Sequence, residues 1–384
     1  MIYYAQRQLR EEREGRKMNE IEVIEVWMNG SRVGRIALTP DALCAFEYDA
    51  SWLTSGESIS PLFLPLQSRL FVAKRNPFNG GFGVFDDSLP DGWGHLILDR
   101  YLKSKNLELA KLTTLQRLAL VGLNGRGSLE YYPDLSNFSS SEIVDFNYFA
   151  IEIKNLLESN HTGASLDALY THGGSPGGAR PKLFVHIEGK EWLVKFKATY
   201  DPNRIGEVEY EYAQLAKECG ISMPETRLFD GKYFGVERFD RTSTGKIHTV
   251  SAAGLLHTDY RIPSLDYLDL LKLCHYITKD IEEVYALFRL MVFNVVIGNR
   301  DDHAKNFSFQ WSGKKWRLSP AYDLLPGSGF NGYHTTTINN SGSPTVNDIF
   351  TVSEKAGLNK QRAKEMYQQI HEMAGKKGFN HVIR

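Results

Sequence analysis

Between Ile21 and Leu38 apolar and polar residues alternate, IEVIEVWMNGSRVGRIAL, the period of a half-buried strand. Asn29-Gly30 interrupts the alternation with residues that accept the positive φ of a two-residue hairpin turn. From His95 to Leu120 the spacing becomes helical, with apolar residues at Leu96, Leu98, Tyr101, Leu102 and Leu107. The turn-rich FDDSLPDGWG precedes this run, and its Pro90 and Asp91 suit the start of a helix. The polar, serine-rich stretch Pro133 to Glu142 reads as a boundary, with Ser139 to Ser141 placed to cap a helix from Glu142 to Ser159.

The pattern then turns β-rich. A glycine-rich loop, Gly173 to Gly178, leads into KLFVHI and EWLVKFKA, strands joined at Glu188-Gly189. A helix is expected from Val208 to Cys219, stopped by Gly220. ETRLF and YFGVERF follow as strands around Asp230-Gly231. From Ser264 onward helices dominate: Leu265 to Tyr276, Ile281 to Gly298 and Glu354 to Ala374. A strand pair, NFSFQW and KKWRLS, interrupts them at Ser312-Gly313. The chain shows no internal repeat and no low-complexity tract.

Composition narrows the classes. A length of 384 residues suggests two or three domains or lobes. Lys plus Arg is 45 against 46 Asp plus Glu, a net charge of −1, which argues against a nucleic-acid footprint along the whole chain and leaves room for a local basic patch. The 42% hydrophobic content excludes wholesale disorder. Cys44, Cys219 and Cys274 have no paired-ligand spacing, so neither a disulfide framework nor a structural zinc site is expected, and a reducing cytoplasm fits. The most apolar stretch, Leu290 to Gly298, is far shorter than the ~20 residues of a membrane span. Met1 to Glu20 is polar and lacks the apolar core of a secretory signal; Met18 offers a second start.

Several segments carry candidate chemistry. GGSPGGARPK, Gly173 to Lys182, has glycines that allow close backbone approach, amides able to form an anion nest, and two cations beside it. It is not a Walker loop, and taken alone it also reads as a hairpin turn. Lys195 lies among Leu193, Val194 and Phe196, where a lysine either snorkels to solvent or serves a buried anion. Its position one strand after the glycine loop is that of a kinase's phosphate-pairing lysine. Glu209 or Glu211 could hold it, or face solvent.

NRDDHAKNF, Asn299 to Phe307, is the most informative segment. Asp301 and Asn306 have the separation of a protein kinase's catalytic Asp and metal-binding Asn. The carboxylate would accept or orient the hydroxyl proton, the amide oxygen would bind metal, and Lys305 would offset charge on the transferred phosphoryl group. Asp302 rivals Asp301 as base. His303 reads equally as a nucleotide contact or a loop brace. In SPAYDLLP, Asp323 stands after a short hairpin, as a kinase's second metal-binding Asp does; the plainer reading is a turn cap. YFGVERFDR places Glu237 and Phe239 where a kinase meets adenine, or makes a salt-bridged strand end.

Taken in order, these segments resemble the HipA family of bacterial serine/threonine kinases, the toxins of type II toxin–antitoxin modules. The resemblance rests on S-x-G-G-A-R-P-K at Ser175 to Lys182, L-V-K at Leu193 to Lys195 and V-E-R-F-D-R at Val236 to Arg241. D-D-H-A-K-N-F at Asp301 to Phe307 and S-P-A-Y-D at Ser319 to Asp323 complete it. It spans roughly residues 22 to 375 and includes a family-like N-terminal coupling domain containing SLPDGWG. It implies an ATP- and Mg²⁺-dependent protein kinase with Asp301 as base, Lys305 beside it, and Asn306 and Asp323 as Mg²⁺ ligands. Gly177, Gly178, Ala179, Lys182 and Lys195 would hold the ATP phosphates, Glu237 and Phe239 would meet adenine, and His303 and Tyr322 would line the site. Ser175 matches the serine that the family autophosphorylates. Pro176 departs from the pattern by restricting Ser175 and removing a donor. The implied target is a cytosolic translation protein, such as an aminoacyl-tRNA synthetase. The implied partner is a helix-turn-helix antitoxin of the HipB type, with DNA reached only through it.

The expected fold is α+β and protein-kinase-like, with a β-rich N-lobe, a mostly helical C-lobe and an N-terminal α/β coupling subdomain. The expected boundaries are 1–20, a polar segment; 21–135, coupling subdomain; 142–236, N-lobe; and 237–384, C-lobe. A longer C-terminal helical cap of some relatives is expected to be missing. Two other readings remain at this level: a small-molecule phosphotransferase of kinase-like fold, or a non-catalytic nucleotide- or antitoxin-binding module.

Overall fold

The computed structural model describes residues 18, 20–136, 145–158, 164–173 and 177–379. The chain divides into two compact units, one formed by residues 1–201 with 244–246, the other by 202–243 with 247–384.

The first unit opens with a five-stranded sheet in the order β4-β3-β2-β1-β5, built from β1 (Val23–Met28), β2 (Ser31–Leu38), β3 (Cys44–Tyr48), β4 (Phe71–Val72) and β5 (Leu129–Tyr132). All neighbours are antiparallel. Asn29 (φ 47°) and Gly30 (φ 80°) both adopt positive φ, the geometry that sets the expected hairpin register Met28↔Ser31. One face of the sheet buries Ile24, Val26 and Ile36 with Phe46, whose ring meets Phe85 at 5.4 Å. The single helix expected from His95 to Leu120 is broken. Helix α1 (Gly92–Ser104) ends before Asn106, which takes φ 59°; a 3₁₀ turn, Leu109–Lys111, follows, and α2 (Thr114–Val121) starts anew. The restart has a local cause. Thr113 and Gln116 form a capping box, which satisfies amides that a continuous helix would bond internally.

Helix α3 (Phe146–Glu158) begins later than expected, and its predicted cap, Ser139 to Ser141, lies outside the described residues. Helix α4 (Ala164–Gly173) was not foreseen; it lies against α1, with Tyr170 stacked on Tyr101 at 3.9 Å. Strands β6 (Lys182–Ile187) and β7 (Lys190–Lys195) form the expected hairpin, turned at Glu188 (φ 53°) and Gly189 (φ 76°).

The second unit begins with α5 (Ile205–Glu218) over the hairpin of β8 (Thr226–Phe229) and β9 (Tyr233–Glu237). Helix and strand approach closely at Gly206, where a Cβ would stand 2.0 Å from Lys232 O. A three-stranded sheet follows, β10 (His248–Ser251), β11 (Ser308–Trp311) and β12 (Trp316–Leu318), with β11 central. The β11–β12 pair was expected; its third strand was not. Around it stand α6 (Ala252–Leu256), α7 (Tyr267–Thr278), α8 (Ile281–Ile297), α9 (Val346–Lys355) and α10 (Lys360–Lys376). Helix α8 is buried along most of its length, as its apolar sequence requires. The helix expected from Glu354 to Ala374 is two: Gly357 takes φ 74°, and the Asn359 side chain caps α10 by accepting from Arg362 N at 3.0 Å. Among the described residues, no helix is long and apolar enough to cross a membrane.

Candidate active site

In the first unit the glycine-rich loop enters β6. Gly177, Gly178 and Ala179 are exposed, and Gly178 holds φ 86°. Ser175, with Gly174 and Pro176, lies outside the described residues. Lys182 and Lys195 face each other across the β6–β7 ladder and are only 4% and 9% exposed. Directly opposed like charges destabilise a strand pair. A pair of largely buried lysines opposite one another on a ladder is a position that an anion would suit. Lys182 Nζ also donates to Gly177 O at 2.6 Å, tying strand to loop. Arg180 turns elsewhere, to the buried carboxylate of Asp201 at 3.2 Å.

The second unit, taken by itself, carries the acidic candidates. Helix α8 stops at Gly298 (φ 71°), and the segment after it separates the adjacent aspartates. Asp301 is exposed, whereas Asp302 is fully buried. The Asp302 carboxylate accepts from Tyr267 Oη at 2.9 Å, from Thr335 N at 2.9 Å and from Thr336 N at 3.2 Å. It also pairs with His334 Nδ1 at 2.8 Å. This saturation suits Asp302 to a structural task and leaves Asp301 as the exposed carboxylate of the pair. Burial first, and then the charge of Asp302, raise the Tyr267 hydroxyl well above its ordinary pKa, so it stays a donor.

Asn306 Nδ2 donates to Asp301 O at 2.7 Å, closing the loop on itself and fixing the two residues of the expected pair. Lys305 Nζ stands 4.5 Å above the Tyr260 ring, and the His303 ring tilts against the same tyrosine at 5.3 Å. His303 Nδ1 is buried without a hydrogen-bond partner among the described residues. The sequence reading missed Tyr260, which carries both groups.

Asp323 sits at φ 55°, a left-handed conformation that costs a non-glycine residue about 1–2 kcal/mol. Asn299 holds it there: its Nδ2 donates to Asp323 O at 3.2 Å and to Asn294 Oδ1 at 3.0 Å. Asn294 Nδ2 in turn donates to Tyr267 Oη at 3.0 Å. One buried chain of hydrogen bonds thus runs from Asp302 to the backbone of Asp323. The Asp323 carboxylate and the Asn306 amide oxygen are hard oxygen donors, the kind that Mg²⁺ takes along with phosphate and water.

YFGVERFDR makes the salt-bridged strand end. Arg238 and Asp240 are buried and joined by bonds of 3.0 and 2.9 Å, and Arg241 adds 3.1 Å to the same carboxylate. Glu237 and Phe239 alternate to the other face and are half-buried. Phe239 stacks on Tyr322 at 5.6 Å, and Tyr322 Oη donates to Lys305 O at 2.6 Å. The two candidate helix carboxylates also separate: Glu209 is buried, and Glu211 lies near Arg204 at 3.7 Å in solvent.

The strand, helix and loop order that carries these groups is that of a protein-kinase-like fold with an added N-terminal domain. The chain belongs to the HipA family: the HipA N-terminal domain matches residues 24–132 and the HipA-like C-terminal domain residues 174–377. Two proteins of Sinorhizobium fredii are similar along most of their length. "Putative kinase Y4dM" is 24% identical over 80% of this chain and 78% of its own, and "Putative kinase Y4mE" 26% over 79% and 77%. The fold matches a chain from the Shewanella oneidensis toxin–antitoxin complex of HipA, HipB and operator DNA, with a TM-score of 0.68, 18% identity, and coverage of 94% of this chain and 92% of that one.

Proposed function

We propose that this chain is an ATP- and Mg²⁺-dependent serine/threonine protein kinase and the toxin of a toxin–antitoxin module. The observation that carries the reading is the division of labour after α8: Asp301 exposed and tied through its backbone to Asn306, Asp302 locked in the core. Asp301 orients the acceptor hydroxyl and takes its proton. Lys305 offsets charge developing at the phosphoryl group. Lys182 and Lys195 neutralise nucleotide phosphates, and Glu237 and Phe239 meet the base. Asn306 and Asp323 would hold Mg²⁺, which when bound neutralises phosphate oxygens and orients the transferred group.

Membership of the HipA family, the kinase names of the two relatives and the HipA–HipB–DNA assembly of the structural match support the wider reading. The partner is then a HipB-type helix-turn-helix antitoxin, with DNA contacted through it, and the setting is the bacterial cytoplasm. The target is a cytosolic translation protein of the aminoacyl-tRNA synthetase kind. Autophosphorylation of Ser175 would add about −1.5 to −2 charges next to the nucleotide phosphates and switch the enzyme off.

Incubation of the chain and its Asp301→Asn variant with γ-labelled ATP, Mg²⁺ and cell extract tests this. Protein-bound label, on Ser175 or on an extract protein, that disappears in the variant supports the proposal. Label on small molecules alone points to a small-molecule phosphotransferase. Growth inhibition that is equal for both chains points to a binding module without turnover.

A further inference from the structure

The SLPDGWG segment belongs to the N-terminal domain, yet within the first unit it grips the glycine-rich loop. Asp91 occupies the N-cap position of α1 with an extended backbone, and its side chain caps nothing in its own helix. Its Oδ1 instead accepts the N–H of Gly178. The capping role is returned across the contact, because Gly178 O accepts the Trp93 N–H at 2.9 Å. The backbones touch: a Cβ on Gly92 would stand 2.4 Å from Gly178 O, and Gly92 itself holds φ 44°. Buried Trp93 donates Nε1 to Lys182 O at 3.0 Å, and Lys182 reaches back to Gly177. Both backbone groups of Gly178 are thereby engaged by one short stretch, residues 91–93.

We infer that Asp91 is a positioning residue, the clamp by which the N-terminal domain fixes the glycine-rich loop and so sets its affinity for nucleotide phosphates. The nucleotide part rests on the kinase reading above. A glycine loop left alone samples many backbone conformations, and few of them aim amides at an anion. Holding Gly178 at positive φ removes that ordering cost before a nucleotide arrives.

Amide hydrogen exchange of the full chain, read at residues 177–182 without nucleotide, tests the clamp; equilibrium titration with Mg²⁺–ATP and steady-state kinetics test its consequence. Asp91→Ala removes no cap from α1. It should speed exchange at Gly178 about tenfold, the loss of one hydrogen bond to a charged acceptor, and weaken ATP binding severalfold, seen in KM more than in kcat. Asp91→Asn keeps an acceptor oxygen and should restore most of both. Unchanged exchange in Asp91→Ala overturns the clamp, and faster exchange with unchanged ATP affinity overturns its role in binding. A wild-type chain that binds no ATP overturns the nucleotide part together with the kinase reading, while the exchange result still decides the clamp. If Asp91→Ala melts early, Asp91→Leu, which keeps the side chain's bulk and removes the acceptor, replaces it; exchange at Gly178 and ATP affinity equal to wild type would again overturn the proposal.

Discussion

The adjacent carboxylates of Asp301 and Asp302 should behave as opposites when each is changed. Asp302→Ala removes the acceptor shared by Tyr267 Oη, Thr335 N, Thr336 N and His334 Nδ1, all in or beside the core. Each buried donor left without a partner costs about 1–3 kcal/mol. These costs do not add in full, because neighbours relax and water enters. Breaking a buried charged network typically costs about 3–5 kcal/mol, and that is the loss expected here. In a unit of this size each kcal/mol lowers the melting temperature by about 2–4 °C, so Asp302→Ala should melt about 10 °C early. Asp301→Asn changes an exposed side chain and leaves intact the backbone carbonyl that holds Asn306. It should melt within about 2 °C of wild type and lose about 10²–10⁴-fold in phosphoryl transfer. Circular dichroism melting and a labelled-ATP assay on the same preparations read both effects. An Asp302→Ala chain of normal stability without transfer, beside an active Asp301→Asn chain, would reverse the assignment of the base and refute the argument from burial.

Other outcomes follow from the same geometry. Asn299→Ala leaves Asp323 O and Asn294 Oδ1 without their donor; a Mg²⁺ titration of transfer should shift to severalfold higher concentration, with a stability loss of about 1–3 kcal/mol in denaturant melts. Asp323→Gly deletes the expected metal ligand at a position where φ 55° strains a side chain but not glycine, so transfer should vanish while the melting temperature holds or rises. Burial raises the thiols of Cys44 and Cys219 to about 11 and that of Cys274 to about 12. An aromatic disulfide reagent at pH 8 should therefore modify them far more slowly in the native chain than in denaturant. The folded state binds these protons more tightly than the unfolded one, so their contribution to stability is complete below the unfolded pKa of about 8.5 and is lost as pH rises from there towards 11. Melting temperatures at pH 7 and pH 10 should show the decline.

What could be read from the sequence was what local chemistry decides. Asn29-Gly30, Glu188-Gly189 and Asp230-Gly231 mark turns because both residues of each pair take positive φ, as Gly313 alone does after Ser312, and each turn fixes the register of the hairpin around it. The helix breaks near Asn106 and Gly357 were harder, since apolar residues recur on both sides and the spacing alone reads as continuous. β10 was invisible for another reason: His248–Ser251 becomes a strand only by pairing with Ser308–Trp311, far along the chain. Helix α4 has helical spacing at Leu166, Leu169 and Tyr170, but it is only ten residues long and runs into the glycine-rich loop, so the loop's composition hid it.

At the site the same division holds. The Asp301, Asn306 and Asp323 pattern was legible because each residue lies in a short loop whose spacing is local. The choice between Asp301 and Asp302 did not survive, because consecutive side chains leave the backbone in different directions and only distant partners determine which direction is the core. Those partners, Tyr267 and the run His334 to Thr336, come from two separate segments, and Asn294 supports Tyr267 from a third. Asn294 alone offered a signal. An amide inside the apolar run VFNVVIG must find hydrogen bonds wherever its helix is buried, and its two contacts lead to Tyr267 on one side and Asn299 on the other. A polar residue out of pattern in a core helix thus marks where a buried support for the loop begins. Here that support ends at the backbone of Asp323, so the core and the residue proposed to hold Mg²⁺ are joined by one chain of hydrogen bonds, and Asn299→Ala tests whether a change in the first is felt at the second.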